Sequence, residues 1–125
     1  MSFRCIATHD WREPLALAGE HAGRAELALL YSGRRERHSG GTSFLFLEPA
    51  TQVAGSRWDA LPACTQSELP EWVGYLGYGM RLGLERYARG APSPIDLPDF
   101  WLTKYQRLFR STTRRRKWKN SCGRK

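Results

Sequence analysis

The sequence predicts an α+β domain. Several segments carry the alternating or continuous apolar residues of β-strands, and other segments between them have apolar residues at helical spacing. The chain has 125 residues, which is enough for one domain with a modest core and too few for a second independent one.

The first half of the chain is predicted to contain three strands and one short helix. Residues 3–8 suit a first strand, and Pro14 suits the first turn of the helix that follows. In residues 26–32, ELALLYS, both strand faces are apolar, which predicts a central strand. Residues 43–49, SFLFLEP, are predicted as its buried antiparallel partner, in which Pro49 stops the ladder.

The glycine-rich segment 71–90, EWVGYLGYGMRLGLERYARG, is compatible with a phosphate-binding loop or with a closely packed strand. A dinucleotide fingerprint that starts at Gly77 has its second glycine at Gly79, but its sixth position is Leu82. The segment contains no lysine, so the P-loop pattern fails as well. We therefore interpret WVGYLGYG as a strand whose missing side chains let a second backbone approach, followed by a helix.

A proline-broken connector and one further strand complete the globular pattern. The connector is APSPIDLPD, residues 91–99, and the strand is FWLTKYQRLF, residues 100–109. The formal net charge of +8 comes entirely from residues 110–125, which hold eight basic residues and no acidic one. We therefore divide the chain into a domain at 1–109, with 12 basic and 12 acidic residues, and a basic tail at 110–125 that is predicted to be disordered.

The residue types that carry catalysis or bind metals show no suitable spacing. Cys5, Cys64 and Cys122 are far apart and form no CxxC pair, which predicts reduced thiols rather than a zinc site or a disulfide framework. The three histidines fall in different segments, and the acidic residues are dispersed apart from Asp96 and Asp99. We assign no catalytic residue and no metal ligand.

No membrane association or export is predicted. The N-terminus lacks an apolar core of signal-peptide length, and no apolar run approaches the roughly 20 residues that cross a bilayer. We therefore expect a cytoplasmic protein.

Four segments in order resemble the N-terminal region of chorismate-utilising enzymes. They are LLYSG, FLFLEP, GYLGYG and DLPDFWLTKYQRL, and they cover about residues 25 to 109. The resemblance is to component I of aminodeoxychorismate synthase, in the folate pathway, and to component I of anthranilate synthase, in tryptophan synthesis. It implies that the domain contributes strands to a two-sheet sandwich with helices between the sheets.

The resemblance also implies one ligand-binding residue. In relatives, the serine of the Leu-Leu-x-Ser motif helps line a tryptophan pocket, and its counterpart here is Ser32. Tyr31 stands where a glutamate often precedes that serine, which favours the folate branch. Pro70-Glu71 and Gly79 also depart from the family pattern. The alternative for Ser32 is a serine that closes a strand.

The resemblance implies partners and a cofactor that lie outside this chain. Relatives continue into more strands, a linker and a catalytic region that binds chorismate and magnesium, and a glutamine amidotransferase subunit delivers ammonia. We expect this chain to be a truncated N-terminal domain, inactive alone, whose partner is a catalytic C-terminal fragment. The composition changes abruptly at the start of the lysine-containing tail. Our hypothesis for the truncation is therefore a shifted reading frame.

Three alternatives remain open at the level of sequence. The chain could be the N-terminal domain of an anthranilate synthase component I, on the tryptophan branch. It could be a small RNA-binding protein that uses the basic tail and Trp118 as an electrostatic and stacking arm. It could also be an interaction module that completes its sheet with strands from a partner.

Overall fold

The computed structural model describes residues 5–33, 41–63, 69–84, 94–112 and 117–122. These residues contain helices and β-strands, which confirms the α+β class. Short 3-10 helices lie at Trp58–Ala60 and Tyr78–Gly83. The other elements are β1 (Cys5–Asp10), α1 (Pro14–Glu20), β2 (Ala28–Leu30), β3 (Thr42–Gly55), β4 (Trp72–Leu76), β5 (Phe100–Thr112) and β6 (Lys117–Cys122).

The described strands form one six-stranded sheet with the hydrogen-bonded order β1-β6-β5-β3-β2, and β4 pairs with β5 outside that path. The pairs β1–β6, β5–β6, β2–β3 and β4–β5 are antiparallel. The predicted antiparallel pairing of residues 26–32 with residues 43–49 is therefore confirmed, since Ala28 to Leu30 pair with Phe46 to Phe44.

Among the described strands β2 lies at the end of the strand order, so the prediction of a central strand was wrong. Leu27 and Leu29 pack against a buried cluster formed by Leu17, Leu45, Leu47 and Phe109. Leu30 lies on the opposite face of the strand from Leu29 and is 49% exposed. Apolar residues on both faces of a short strand are thus compatible with an edge position.

Strand β3 continues to Gly55, although Pro49 was predicted to end its ladder. Glu48, directly before this proline, has a φ of 63°, in the left-handed region that residues other than glycine rarely adopt. A proline removes a single backbone donor, and a strand can accommodate it where the backbone locally departs from regular geometry. The strand therefore continues beyond this irregular position.

The glycine-rich segment begins with a strand, as predicted, but the strand ends at Leu76 and not at Gly79. Gly74 pairs with Leu102, and a Cβ atom on Gly74 would overlap the backbone carbonyl of Trp101. The predicted close approach of a second backbone is confirmed at this glycine. After β4 the chain forms the 3-10 helix at Tyr78–Gly83, while residues 85–90, where the helix was expected to continue to its cap at Gly90, lie outside the described residues.

The structure also differs from the expected disordered tail. Strand β5 extends past Phe109 to Thr112, and residues 117–122 form β6, which pairs with both β5 and β1. Residues 113–116 and 123–125 lie outside the described residues. A basic composition does not prevent strand formation when a neighbouring strand offers its unpaired backbone groups.

Two compact units make up the chain: unit 1 comprises residues 1–50 with 105–125, and unit 2 comprises residues 51–104. The core of unit 1 brings helix α1 against strands β3 and β5, and its buried cluster consists of Leu17, Leu45, Leu47 and Phe109. Phe46 is also fully buried there, with its ring centroid 5.5 Å from that of Tyr105.

A long-range hydrogen bond fixes the turn before β2 in unit 1. The hydroxyl of Tyr105 donates to the backbone carbonyl of Glu26 at 2.7 Å. Glu26 has a φ of 60°, so this bond holds a residue in an unfavourable backbone conformation.

Unit 2 has a smaller core around Met80 and Phe100, both buried. The indole Nε1 of Trp58 donates to the backbone carbonyl of Met80 at 2.7 Å, which ties the two 3-10 helices together. The Phe100 ring lies so close to Gly55 that a Cβ atom there would approach it to 3.1 Å.

Candidate functional site

Ser32, the one ligand-binding residue implied by the family resemblance, lies just after β2 in unit 1. Its backbone N–H donates to the Oγ of Ser43 at 3.0 Å, and Ser43 is buried near the start of β3. This bond uses the backbone of Ser32 and not its hydroxyl. The bond positions the half-buried Ser32 beside the end of the β2–β3 ladder.

Tyr31 connects this position to the start of helix α1. Its hydroxyl donates to Oε1 of Glu13 at 3.3 Å, while Oε2 of Glu13 accepts from the backbone N–H of Ala16 at 2.8 Å and so caps the helix. The ring of Tyr31 lies over Gly33, where a Cβ atom would overlap it. Partial loss of hydration, followed by the charge of Glu13, raises the pKa of Tyr31 above its usual value.

The site at Ser32 therefore offers a serine hydroxyl, a phenol and a carboxylate from neighbouring segments. We name it the Ser32 site and define it as Glu13, Tyr31, Ser32 and Ser43. These groups can accept and donate hydrogen bonds to a polar ligand. The one carboxylate of the site, on Glu13, accepts from the Tyr31 phenol and from the backbone N–H of Ala16, and we therefore derive only a binding role from this arrangement. Sequence reasoning found Ser32 but missed Glu13, which lies 19 positions earlier and has no motif of its own.

A second polar cluster in unit 1 surrounds Glu48. Its Oε1 lies 3.8 Å from an Nη1 of Arg24 and 3.6 Å from an Nη1 of Arg107. The guanidinium of Arg107 also lies 5.0 Å from the centroid of the Phe109 ring, against which His21 stacks with a centroid distance of 6.4 Å. Side chains of this cluster are about one third to one half exposed, so its ion pairs contribute little to stability.

We predict that this cluster makes the stability of the protein fall as the pH falls. Burial first, then the charges of Arg24, Arg107 and Arg12, lower the pKa of His21 below 6.5. Above that pH the ring is neutral in both the folded and unfolded states. As the pH falls, the unfolded state takes up the proton first, so the folded state loses stability.

The measurement is the midpoint of thermal unfolding from about pH 7 to pH 5. We expect the midpoint to decrease more in the natural protein than in His21→Gln, which cannot titrate. Identical pH profiles for the two proteins would contradict a contribution from His21.

The described residues do not fit a magnesium site. Among them, no group of three or more His, Cys, Asp or Glu residues lies close enough to hold a metal ion. Asp99, one of the two acidic residues near Pro98, uses its backbone carbonyl to accept from the N–H of Gly77 at 2.6 Å. In the described part of the chain Asp99 therefore helps to position the approach to β5.

No helix within the described residues has both the length and the apolar character needed to cross a membrane. Models of known protein families give no match to this chain, and no curated protein matches its sequence.

Proposed function

We propose that this chain is an N-terminal domain of the component I type that serves chorismate amination on the folate branch. The observation that carries the proposal is the arrangement of the four resembling segments as neighbours in one sheet. LLYSG begins in β2, FLFLEP lies in β3, GYLGYG begins in β4, and DLPDFWLTKYQRL continues into β5. The pairings β2–β3 and β4–β5 join them two by two.

In this proposal the domain has a structural role, and a catalytic region provides the chemistry. That region binds chorismate and magnesium, and a glutamine amidotransferase subunit supplies the ammonia. The domain contributes its strands to a two-sheet sandwich, in the cytoplasm. The hydrogen-bonding groups of the Ser32 site are compatible with this structural and ligand-binding role.

The exposed apolar side chains of unit 2 support a partner. A contiguous exposed apolar patch marks a surface that another protein covers, and the proposal places such a patch on unit 2. Tyr78 is 89% exposed and Leu84 is 71% exposed. The others in unit 2 are Trp58, Tyr75, Leu76, Leu82, Ile95, Leu97 and Trp101.

Tyr31 favours the folate branch over the tryptophan branch. A glutamate at this position would be available for the ammonium group of a bound amino acid. The phenol of Tyr31 is instead engaged with Glu13, and its ring lies over Gly33. We therefore propose that Ser32 lines a pocket that does not control activity through tryptophan.

The test is reconstitution of the amination reaction. The purified chain is mixed with the catalytic region of an aminodeoxychorismate synthase component I that lacks its own N-terminal domain. Chorismate, magnesium and an ammonium salt are added, and aminodeoxychorismate is measured by chromatography. We expect the chain to increase product formation at least about tenfold, which corresponds to about 1.4 kcal/mol in the activation barrier.

Two controls make the result specific. The variant Gly74→Ala, whose added Cβ would overlap the carbonyl of Trp101, is expected to give a smaller increase than the natural chain, whereas Gly19→Ala should act like the natural chain. Added tryptophan should leave the reconstituted rate unchanged, and strong inhibition would favour the tryptophan branch. Absence of both binding and stimulation by the folded chain would overturn the proposal.

A further inference from the structure

Strands β1 and β6 bring together two cysteines that lie near opposite ends of the sequence. The antiparallel register pairs Cys5 with Cys122, and continues through Ile6 with Ser121 to Asp10 with Lys117. In the sequence these two cysteines show no pairing pattern. The fold therefore places Cys5 opposite Cys122, which their separation in the sequence does not indicate.

The backbone geometry of such a pair is suitable for a disulfide. Directly opposed residues in an antiparallel ladder have Cα atoms about 4.5 or 5.5 Å apart, depending on the kind of pair. Disulfides join cysteines whose Cα atoms are about 4.4 to 6.8 Å apart. Both kinds of opposed pair lie within that range, and opposed residues belong to the same face of the sheet.

We propose that Cys5 and Cys122 form a reversible cross-strand disulfide, with a low-molecular-weight disulfide such as oxidised glutathione as the oxidant. The inference depends on the β1–β6 register and is independent of the proposed function. Disulfides that do form in a reducing compartment are usually transient or redox-sensing, which is why the proposed bond is a reversible one.

The chemistry is a two-step thiol–disulfide exchange. The thiolate of one cysteine attacks the small disulfide, which forms a mixed disulfide and releases one small thiolate. The thiolate of the other cysteine then attacks the protein sulfur, which closes the cross-strand bond and releases the second small thiolate. The two protein thiol protons end on the two released thiols, and the oxidant gains the two electrons that the cysteines lose.

The bond would connect strand β1 covalently to strand β6. It closes a loop that contains almost the whole chain, and long loops give the largest restriction of the unfolded state. Oxidation should therefore raise the thermal unfolding midpoint, and reduction should reverse the change.

The experiment uses the full chain with Cys64→Ser, which removes the third thiol. The protein is equilibrated with mixtures of reduced and oxidised glutathione, acid-quenched, and mapped by mass spectrometry of its peptides. We expect an intramolecular Cys5–Cys122 linkage, with loss of two hydrogens, and a higher unfolding midpoint in the oxidised form.

A register control separates true pairing from chance contact of two thiols. Ser121→Cys combined with Cys122→Ser keeps the same number of cysteines but moves one to the position that faces Ile6. In a background of Cys5→Ser and Cys122→Ser, the pair Ala7→Cys and Asn120→Cys restores two opposed thiols. We expect the ratio of linked to reduced protein to be at least tenfold lower in the shifted variant than in the two opposed pairs.

Circular dichroism of each reduced variant shows that it is folded before oxidation. Equal linkage in the shifted and opposed variants would overturn the proposal. Linkage only between different molecules, or no linkage in the folded natural pair, would overturn it as well.

Discussion

Gly74→Ala is expected to unfold the protein or to lower its free energy of unfolding by about 3 kcal/mol. The added Cβ would overlap the carbonyl of Trp101, which is a backbone group and cannot rotate away as a side chain does. Relief requires β4 to move off β5, and this movement breaks a ladder of five residue pairs from Trp72–Lys104 to Leu76–Phe100. Urea unfolding, followed by circular dichroism, measures the effect.

The control for this prediction is Gly19→Ala in helix α1. A Cβ atom at Gly19 would meet nothing within 4 Å. Alanine is more favourable than glycine inside a helix by up to about 1 kcal/mol, so this variant should be as stable as the natural protein or slightly more stable. If both variants unfold at the same urea concentration as the natural protein, the close approach of β4 and β5 is wrong.

Phe46→Ala is expected to lower the free energy of unfolding by about 4 kcal/mol. The side chain of Phe46 has no exposed surface, and its ring packs at 46° against that of Tyr105. Truncation removes this aromatic contact and leaves a cavity that the β3 and β5 backbones cannot fill. Against a total stability of about 5 to 15 kcal/mol, such a loss leaves a measurable unfolded population at ordinary temperature.

Phe44→Ala is the matched control, because Phe44 lies two positions earlier in the same strand. It contacts Phe46 with a centroid distance of 6.2 Å but is only partly buried. We expect it to cost roughly half as much as Phe46→Ala, since less apolar surface is returned to water. Equal losses in the two variants would contradict the placement of Phe46 in the core.

Much of the fold was predictable because local patterns decide it. Pro14 marks the first turn of α1, and the apolar residues of 43–49 and 100–109 mark strands that the structure contains. The edge position of β2 was not predictable from its apolar residues. Leu27 and Leu29 gain their apolar contacts from α1 and β3, so apolar residues in this segment do not require a second neighbouring strand. The strand at 117–122 was missed because its basic composition was taken as a sign of disorder.

The candidate site was only partly predictable for a different reason. Ser32 belongs to a recognisable motif, and Tyr31 is a departure from it that the sequence displays directly. Glu13 enters the site through a hydrogen bond between segments 18 positions apart. The cluster of His21, Glu48 and Arg107 likewise depends on how β3, β5 and the turn after α1 meet in unit 1. Such relations follow from packing and carry no local signal.

The position of β1 in the sheet has a consequence for the order in which unit 1 folds. Almost the whole length of the chain separates β1 from β6, its neighbour in the sheet order. During synthesis on the ribosome, β1 is made first, and its backbone groups can pair with β6 only after almost the whole chain has been synthesised. Contacts of such long sequence separation slow folding, because loop closure precedes the energetic gain. Unit 1 is therefore expected to complete its sheet late, with the β5–β6 hairpin forming before β1 joins it.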